Sequence, residues 1–189
     1  TLDLPHDFQF EQPWTESGGG ARGFKPMCEG WYRKSFPTDP SWKGKRVILD
    51  FGGIIYLGDV YLNGTKIAST DYGYVGLEAD LTPFLSHDGE NVVAVYASTG
   101  PKKGSRWYTG GGLFRDVYLQ VQNPTHIARH GVYITTPEVS SSRATVAVQV
   151  EVDGWQKHDV RVRTILRNPE GVIVGTVQSG MPEHTHQTC

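Results

Sequence analysis

The 189-residue sequence has only two cysteines and two methionines. Cys28 and Cys189 stand far apart and fit no CxxC or zinc spacing, so they read as free thiols. No apolar run approaches the ~18–20 residues of a membrane span, which excludes a spanning helix. An excess of one charge is also missing. Eighteen lysines and arginines face twenty aspartates and glutamates, for a net charge of −2. That balance gives a nucleic-acid backbone or an anionic membrane surface no reason to bind. The chain starts TLDLPHDF, without an initiator methionine or a basic-then-apolar leader, and reads as a processed or cut N-terminus. P-loop, GxGxxG, HExxH and GxSxG motifs are absent, so no cofactor is expected.

Helical periodicity is weak as well, and alternation with a period of two takes its place. Val47, Leu49 and Phe51 alternate with Arg46, Ile48 and Asp50. The dipeptide Asn63-Gly64 suits a two-residue hairpin turn because both positions tolerate positive φ. The run VVAVYA before Ser98 predicts a strand covered on both faces. DLTPFL (80–85) predicts a single helical turn. With 38% apolar residues, 23 glycines and 11 prolines, the composition fits many short strands joined by turns. The predicted fold class is all-β.

Asn123-Pro124 is a plausible boundary, since proline cannot donate to a sheet ladder. Beyond it aromatics thin out and four strands are expected, over 131–136, 145–152, 159–167 and 172–177. Their spacing suggests an immunoglobulin-like sandwich, but such a sandwich needs ~7 strands and ~100 residues, so 125–189 reads as truncated. Its uncovered apolar face is expected either to pair with a second copy of the chain as a homodimer or to be poorly ordered.

Candidate chemistry is sparse. His184, His186 and Cys189 could ligate a metal, but a polar tail is the simpler reading, so no metal site is expected. His6 and Asp7 are neighbours in an extended segment and so point to opposite faces, which suits a structural histidine better than a proton-transfer pair. Two glycine-rich loops stand out, SGGGARG (17–23) and SRWYTGGGLFRD (105–116). In the second, an arginine and two aromatics precede three consecutive glycines, which break any regular element. Trp107 serves equally as a platform for a sugar ring or as a plug for the end of a core, and composition leaves both open.

The order of LPHDF, GWYRKSF, WKGKRVILDFGGI, DVYLNGTKIA, DLTPFL, GENVVAVYAS and SRWYTGGGLFRDVYL over about 120 residues resembles the N-terminal region of glycoside hydrolase family 2, the β-galactosidase group. The resemblance implies a jelly-roll, galactose-binding-like sandwich over 1–124 followed by the truncated immunoglobulin-like sandwich over 125–189. It implies a retaining mechanism run by two glutamates in a third, barrel domain of the same parent chain. The family sets its acid/base glutamate after an asparagine. No Asn-Glu dipeptide occurs here, and a barrel of ~250 residues has no room, so no catalytic residue is assigned.

By the same resemblance, Ser105, Arg106, Trp107 and Tyr108 border the sugar pocket of the intact enzyme, with a galactoside-type carbohydrate as substrate. Ser105 stands where β-galactosidases carry an acidic residue. Arg115 and Asp116 are expected to make an ion pair or an interdomain contact. A bacterial periplasmic or secreted enzyme is the expected source. The competing readings are a stand-alone carbohydrate-binding module, a pure scaffold for the barrel, and a fragment of a β-glucuronidase or β-mannosidase.

Overall fold

The computed structural model describes residues 1–100, 110–154 and 160–180, and the backbone of 187–188. It is all-β, with no α-helix among the described residues. It divides into two compact units, Thr1–Val121 and Gln122–Cys189.

The first unit is a sandwich of two sheets. One holds β1 (Glu29–Pro37), β6 (Glu90–Ser98), β3 (Leu57–Leu62) and β4 (Thr65–Thr70), in that order. The other runs β5 (Leu77–Asp80), β2 (Arg46–Phe51), β7 (Val117–Gln122). Period-two alternation builds the core between them: Val47 and Phe51 from β2, Val60 and Leu62 from β3, and Val93, Val95 and Ala97 from β6. Ile48, expected to face outward, is also buried.

The expectation that VVAVYA is covered on both faces needs correction. In β6 Asn91, Val93, Val95, Ala97 and the terminal Ser98 are buried, while Val92, Ala94 and Tyr96 face outward and are half-buried. The run is apolar because β6 is a central strand with neighbours on both edges, β1 and β3, not because a second layer covers it.

The Asn63-Gly64 turn joins β3 to β4, with φ of 51° and 84°. It does more than reverse the chain. The Asn63 side-chain amide donates to Phe84 O (3.1 Å) and to Asn91 Oδ1 (2.9 Å), and its oxygen accepts from Val92 N (2.9 Å). Asn91 is fully buried, yet its amide also donates to Thr38 and Ser86 and accepts from Ser86 N, so its polar atoms are satisfied. DLTPFL forms the expected single turn, a 3₁₀ helix at Thr82–Phe84.

In the second unit β8 (His126–Val139) pairs with β9 (Ala144–Asp153), β9 pairs with the short β12 (Gln187–Thr188), and β10 (Arg161–Arg167) pairs with β11 (Ile173–Gly180). Its fully buried apolar cluster is small: Val148, Val150 and Val152. A largely apolar cleft of about 300 Å³ lies between the two sheets, lined by residues such as Ile134, Val146, Ile165 and Val177. No helix among the described residues is long and apolar enough to cross a membrane.

Candidate functional site

The four predicted pocket residues Ser105, Arg106, Trp107 and Tyr108 lie outside the described residues. The two ends of the loop that carries them are described in detail, and each is fixed by a separate set of hydrogen bonds.

At the incoming end, Thr99 N donates to Cys28 O (2.9 Å) and Cys28 N donates to Thr99 Oγ1 (3.0 Å). Gly100 N then donates to Ser98 Oγ (3.0 Å). At the outgoing end, Gly112 and Ile55 exchange both backbone hydrogen bonds at 3.0 Å. The N-terminal segment lies along the same stretch, with His6 N donating to Leu113 O (2.8 Å) and Phe8 N to Gly111 O (2.9 Å). Between them, Asp7 Oδ1 accepts from Gln9 N, Phe10 N and Gly111 N at 2.9–3.0 Å. LPHDF is therefore an added strand-like strut, and Asp7 ties it to the glycine run.

This arrangement explains the three glycines. Gly110 and Gly112 have φ of +87° and +114°, a region that side chains disfavour. At Gly111 the demand is space, because a Cβ there would stand 2.6 Å from Thr99 Cγ2 and 2.7 Å from Phe8 Cε2.

Behind the strut sits a small polar cluster. His6 Nδ1 lies 2.8 Å from Tyr32 Oη, and its Nε2 lies 3.2 Å from Glu11 Oε1. Tyr32 Oη accepts from Leu113 N (3.5 Å), and its ring stacks on Phe8. Burial pushes the Tyr32 phenol up to about 12, reinforced by the charge of Asp7. Burial likewise pushes the Cys28 thiol up to about 11, again with Asp7 adding to it. Both groups hold their protons at neutral pH, so neither is poised as a nucleophile or base. His6 and Asp7 have separate partners, as expected for a structural histidine. The cluster packs behind the strut that borders the loop exit.

Arg115 and Asp116, expected to make an ion pair or an interdomain contact, have hydrogen-bond partners within the first unit. The Arg115 guanidinium donates to Gly52 O (3.2 Å) and Tyr74 O (3.5 Å), and Asp116 accepts from Tyr118 Oη (3.0 Å). His184, His186 and Cys189 lie outside the described residues, and among the described residues no three metal-ligating side chains converge.

Residues 26–125, which contain the sandwich and both ends of the loop, match the family described as glycosyl hydrolase 2 galactose-binding domain-like. The chain belongs to that family. It is 35% identical to the beta-galactosidase BoGH2A of Bacteroides ovatus over 94% of its own length. It is also 29% identical to a putative beta-glucuronidase of Formosa agariphila over 93%. The alignments span 21% and 17% of those relatives, so the chain covers about a fifth of their length. Among solved structures, it superposes with a TM-score of 0.87 on a beta-glycosidase from Bacteroides vulgatus, at 34% identity. That match covers 95% of this chain and 24% of the other. A glycosyl hydrolase family 2 member from Bacteroides cellulosilyticus gives 0.86 at 30% identity, covering 100% of this chain and 26% of the other. Membership accounts for the all-β, galactose-binding-like architecture. It also places the chain among domains of carbohydrate-acting enzymes whose polypeptides are several times longer.

Proposed function

We propose that this chain is the non-catalytic N-terminal part of a retaining exo-glycosidase of family 2 that hydrolyses galactosides. Its residues Ser105, Arg106, Trp107 and Tyr108 border the sugar pocket of a barrel supplied by the same parent chain. The observation that supports this reading is the double fixing of the loop ends: Cys28 and Thr99 on one side, Asp7, Gly111 and Gly112 on the other. A loop that serves only as a connection has no need of a dedicated strut. A loop that must present Ser105, Arg106, Trp107 and Tyr108 to a substrate does, because small displacements of a binding group cost catalysis heavily.

Galactoside is preferred over glucuronide because the beta-galactosidase BoGH2A is the more similar of the two named relatives. Residues 1–124 form the sugar-binding jelly roll in this reading, and 125–189 belong to an immunoglobulin-like sandwich. The apolar cleft and exposed apolar side chains of that second unit support incompleteness, and self-association of the isolated chain follows from it.

The test is hydrolysis of p-nitrophenyl β-D-galactoside and the matching glucuronide by the longer protein that carries this chain. Faster turnover of the galactoside with retention of anomeric configuration is expected, together with no turnover by residues 1–189 alone. A preference for the glucuronide would overturn the substrate assignment. Activity in the 189-residue chain would overturn the non-catalytic reading.

A further inference from the structure

The outer face of the β1-β6-β3-β4 sheet carries a feature that the loop does not explain. Trp31 is 63% exposed, an unusual fate for so large an apolar side chain. It stands on β1 directly opposite Tyr96 on β6, which is in turn opposite Asp59 on β3. The Trp31 ring lies 5.2 Å from that of Tyr96 and 5.6 Å from that of Tyr61, tilted by 50° and 42°. Three rings from three adjacent strands thus lie together as one aromatic cluster on this face. Tyr32, the next residue in the chain, faces inward to the core, so this surface is separate from the cluster that fixes the loop.

Hydrogen-bonding groups edge the rings. The Tyr96 hydroxyl donates to Glu29, and Lys66 Nζ pairs with Asp59 at 2.6 Å. Arg33, exposed on β1, adds a second cation. Two carboxylates and two cations leave the face electrically neutral, with acceptors and donors both at its margin.

We propose that Trp31, Tyr61 and Tyr96 form a second carbohydrate-binding surface, which takes a short run of neutral pyranose rings. Aromatic faces accept the C–H faces of such rings, and the carboxylates and cations at the edge exchange hydrogen bonds with their hydroxyls. Neutrality matches a neutral saccharide. A uronate chain or a nucleic acid would bring anionic groups beside Glu29 and Asp59 with no cationic excess to receive them.

The test is an NMR titration of the 189-residue chain with galactotetraose, cellotetraose and tetragalacturonate. The Trp31 indole N–H resonance is expected to shift saturably with at least one neutral tetrasaccharide and not with tetragalacturonate. Trp31→Ala should weaken that binding by about tenfold or more, the equivalent of about 1.4 kcal/mol. Tyr61→Leu, on a neighbouring strand, should weaken it in the same direction and serves if Trp31→Ala disturbs the fold. Tyr133→Ala, an exposed aromatic of the second unit with no part in the platform, should leave it unchanged. The proposal is overturned if neither neutral saccharide shifts the indole, if tetragalacturonate binds as well, or if binding survives both platform substitutions. Loss of binding on Trp107→Ala alone would assign the saccharide to the loop and leave the reading of the loop standing.

Discussion

At the scale of single residues, Asp7 and Gly112 carry the strut. Asp7 satisfies three backbone N–H groups at once. Asp7→Ala should therefore cost about 1–3 kcal/mol of the first unit's stability in urea unfolding, the range for stranding hydrogen-bonded groups. Asp7→Asn, which keeps an acceptor oxygen, should cost less. Gly112 at φ +114° should be less tolerant still, because a Cβ would press on Tyr32 Oη, His6 O and Phe8 Cδ1. Gly112→Ala should cost about 2–4 kcal/mol.

Cys28 offers a chemical readout of the same region. With its thiol held near 11 against an ordinary 9.0, its thiolate fraction at pH 8 is about a hundredfold below that of a free thiol. In a Cys189→Ser background, iodoacetamide should alkylate Cys28 correspondingly slowly, with a rate that climbs until about pH 11. Reaction at the rate of a peptide thiol would show that the loop end is open. The stability sign follows from the same shift. Below the ordinary value the thiol is protonated whether folded or not, and its contribution is fully present. Above pH 9 the unfolded chain ionises first, so stability is lost as pH rises through 11. Tyr32, raised from 10.0 to about 12, extends that loss upward.

At the scale of elements, the strands were legible because period-two alternation is a direct record of a one-sided core. Val47 and Phe51 on β2 show it, although Ile48 between them is buried on the opposite face; the Asn63-Gly64 turn was legible separately, through positive φ values that only a few residue types accept. What misled was VVAVYA, since an apolar composition cannot distinguish a strand buried on both faces from a central strand with one half-covered face. Tyr96 is the residue that marks the outer side. The loop supports were invisible for a different reason. Cys28 meets Thr99 across 71 positions, and Asp7 meets Gly111 across 104. No local pattern announces such pairs. The glycine run was visible as a special backbone, but not the strut that requires it.

Lys25 belongs to the same class. Its side chain is only 2% exposed, with Nζ donating to Phe10 O and Gln12 O and lying 4.1 Å from the Trp14 ring centroid. Buried and bonded to two carbonyls, it staples the N-terminal segment together. Lys25→Met would keep the packing volume but leave both carbonyls without their donor, and should cost about 1–3 kcal/mol in the same unfolding measurement.

At the scale of the whole molecule, the two units differ in how completely they bury apolar surface. The first has a core drawn from both sheets and sealed at the hairpin end by Asn63 and Asn91. The second leaves Val132, Ile134, Val139, Val172, Val174 and Val177 exposed, of which Ile134 and Val177 line a cleft of about 300 Å³. Apolar surface on that scale is a site of association. Sedimentation equilibrium of the 189-residue chain should therefore show a concentration-dependent dimer. Removing 125–189 should abolish it, and a strict monomer would contradict the incomplete-sandwich reading.

The chain covers about a fifth of its named relatives, so its role is to be sought in what it presents to the remainder of a longer polypeptide. The most direct measurement is the kinetic effect of Trp107→Ala in the longer enzyme proposed to carry this chain. The account predicts a fall in kcat/KM for p-nitrophenyl β-D-galactoside of about tenfold or more at unchanged thermal stability, a loss of about 1.4 kcal/mol in transition-state binding. Unchanged kcat/KM would contradict it and make the domain a scaffold whose loop never meets the sugar.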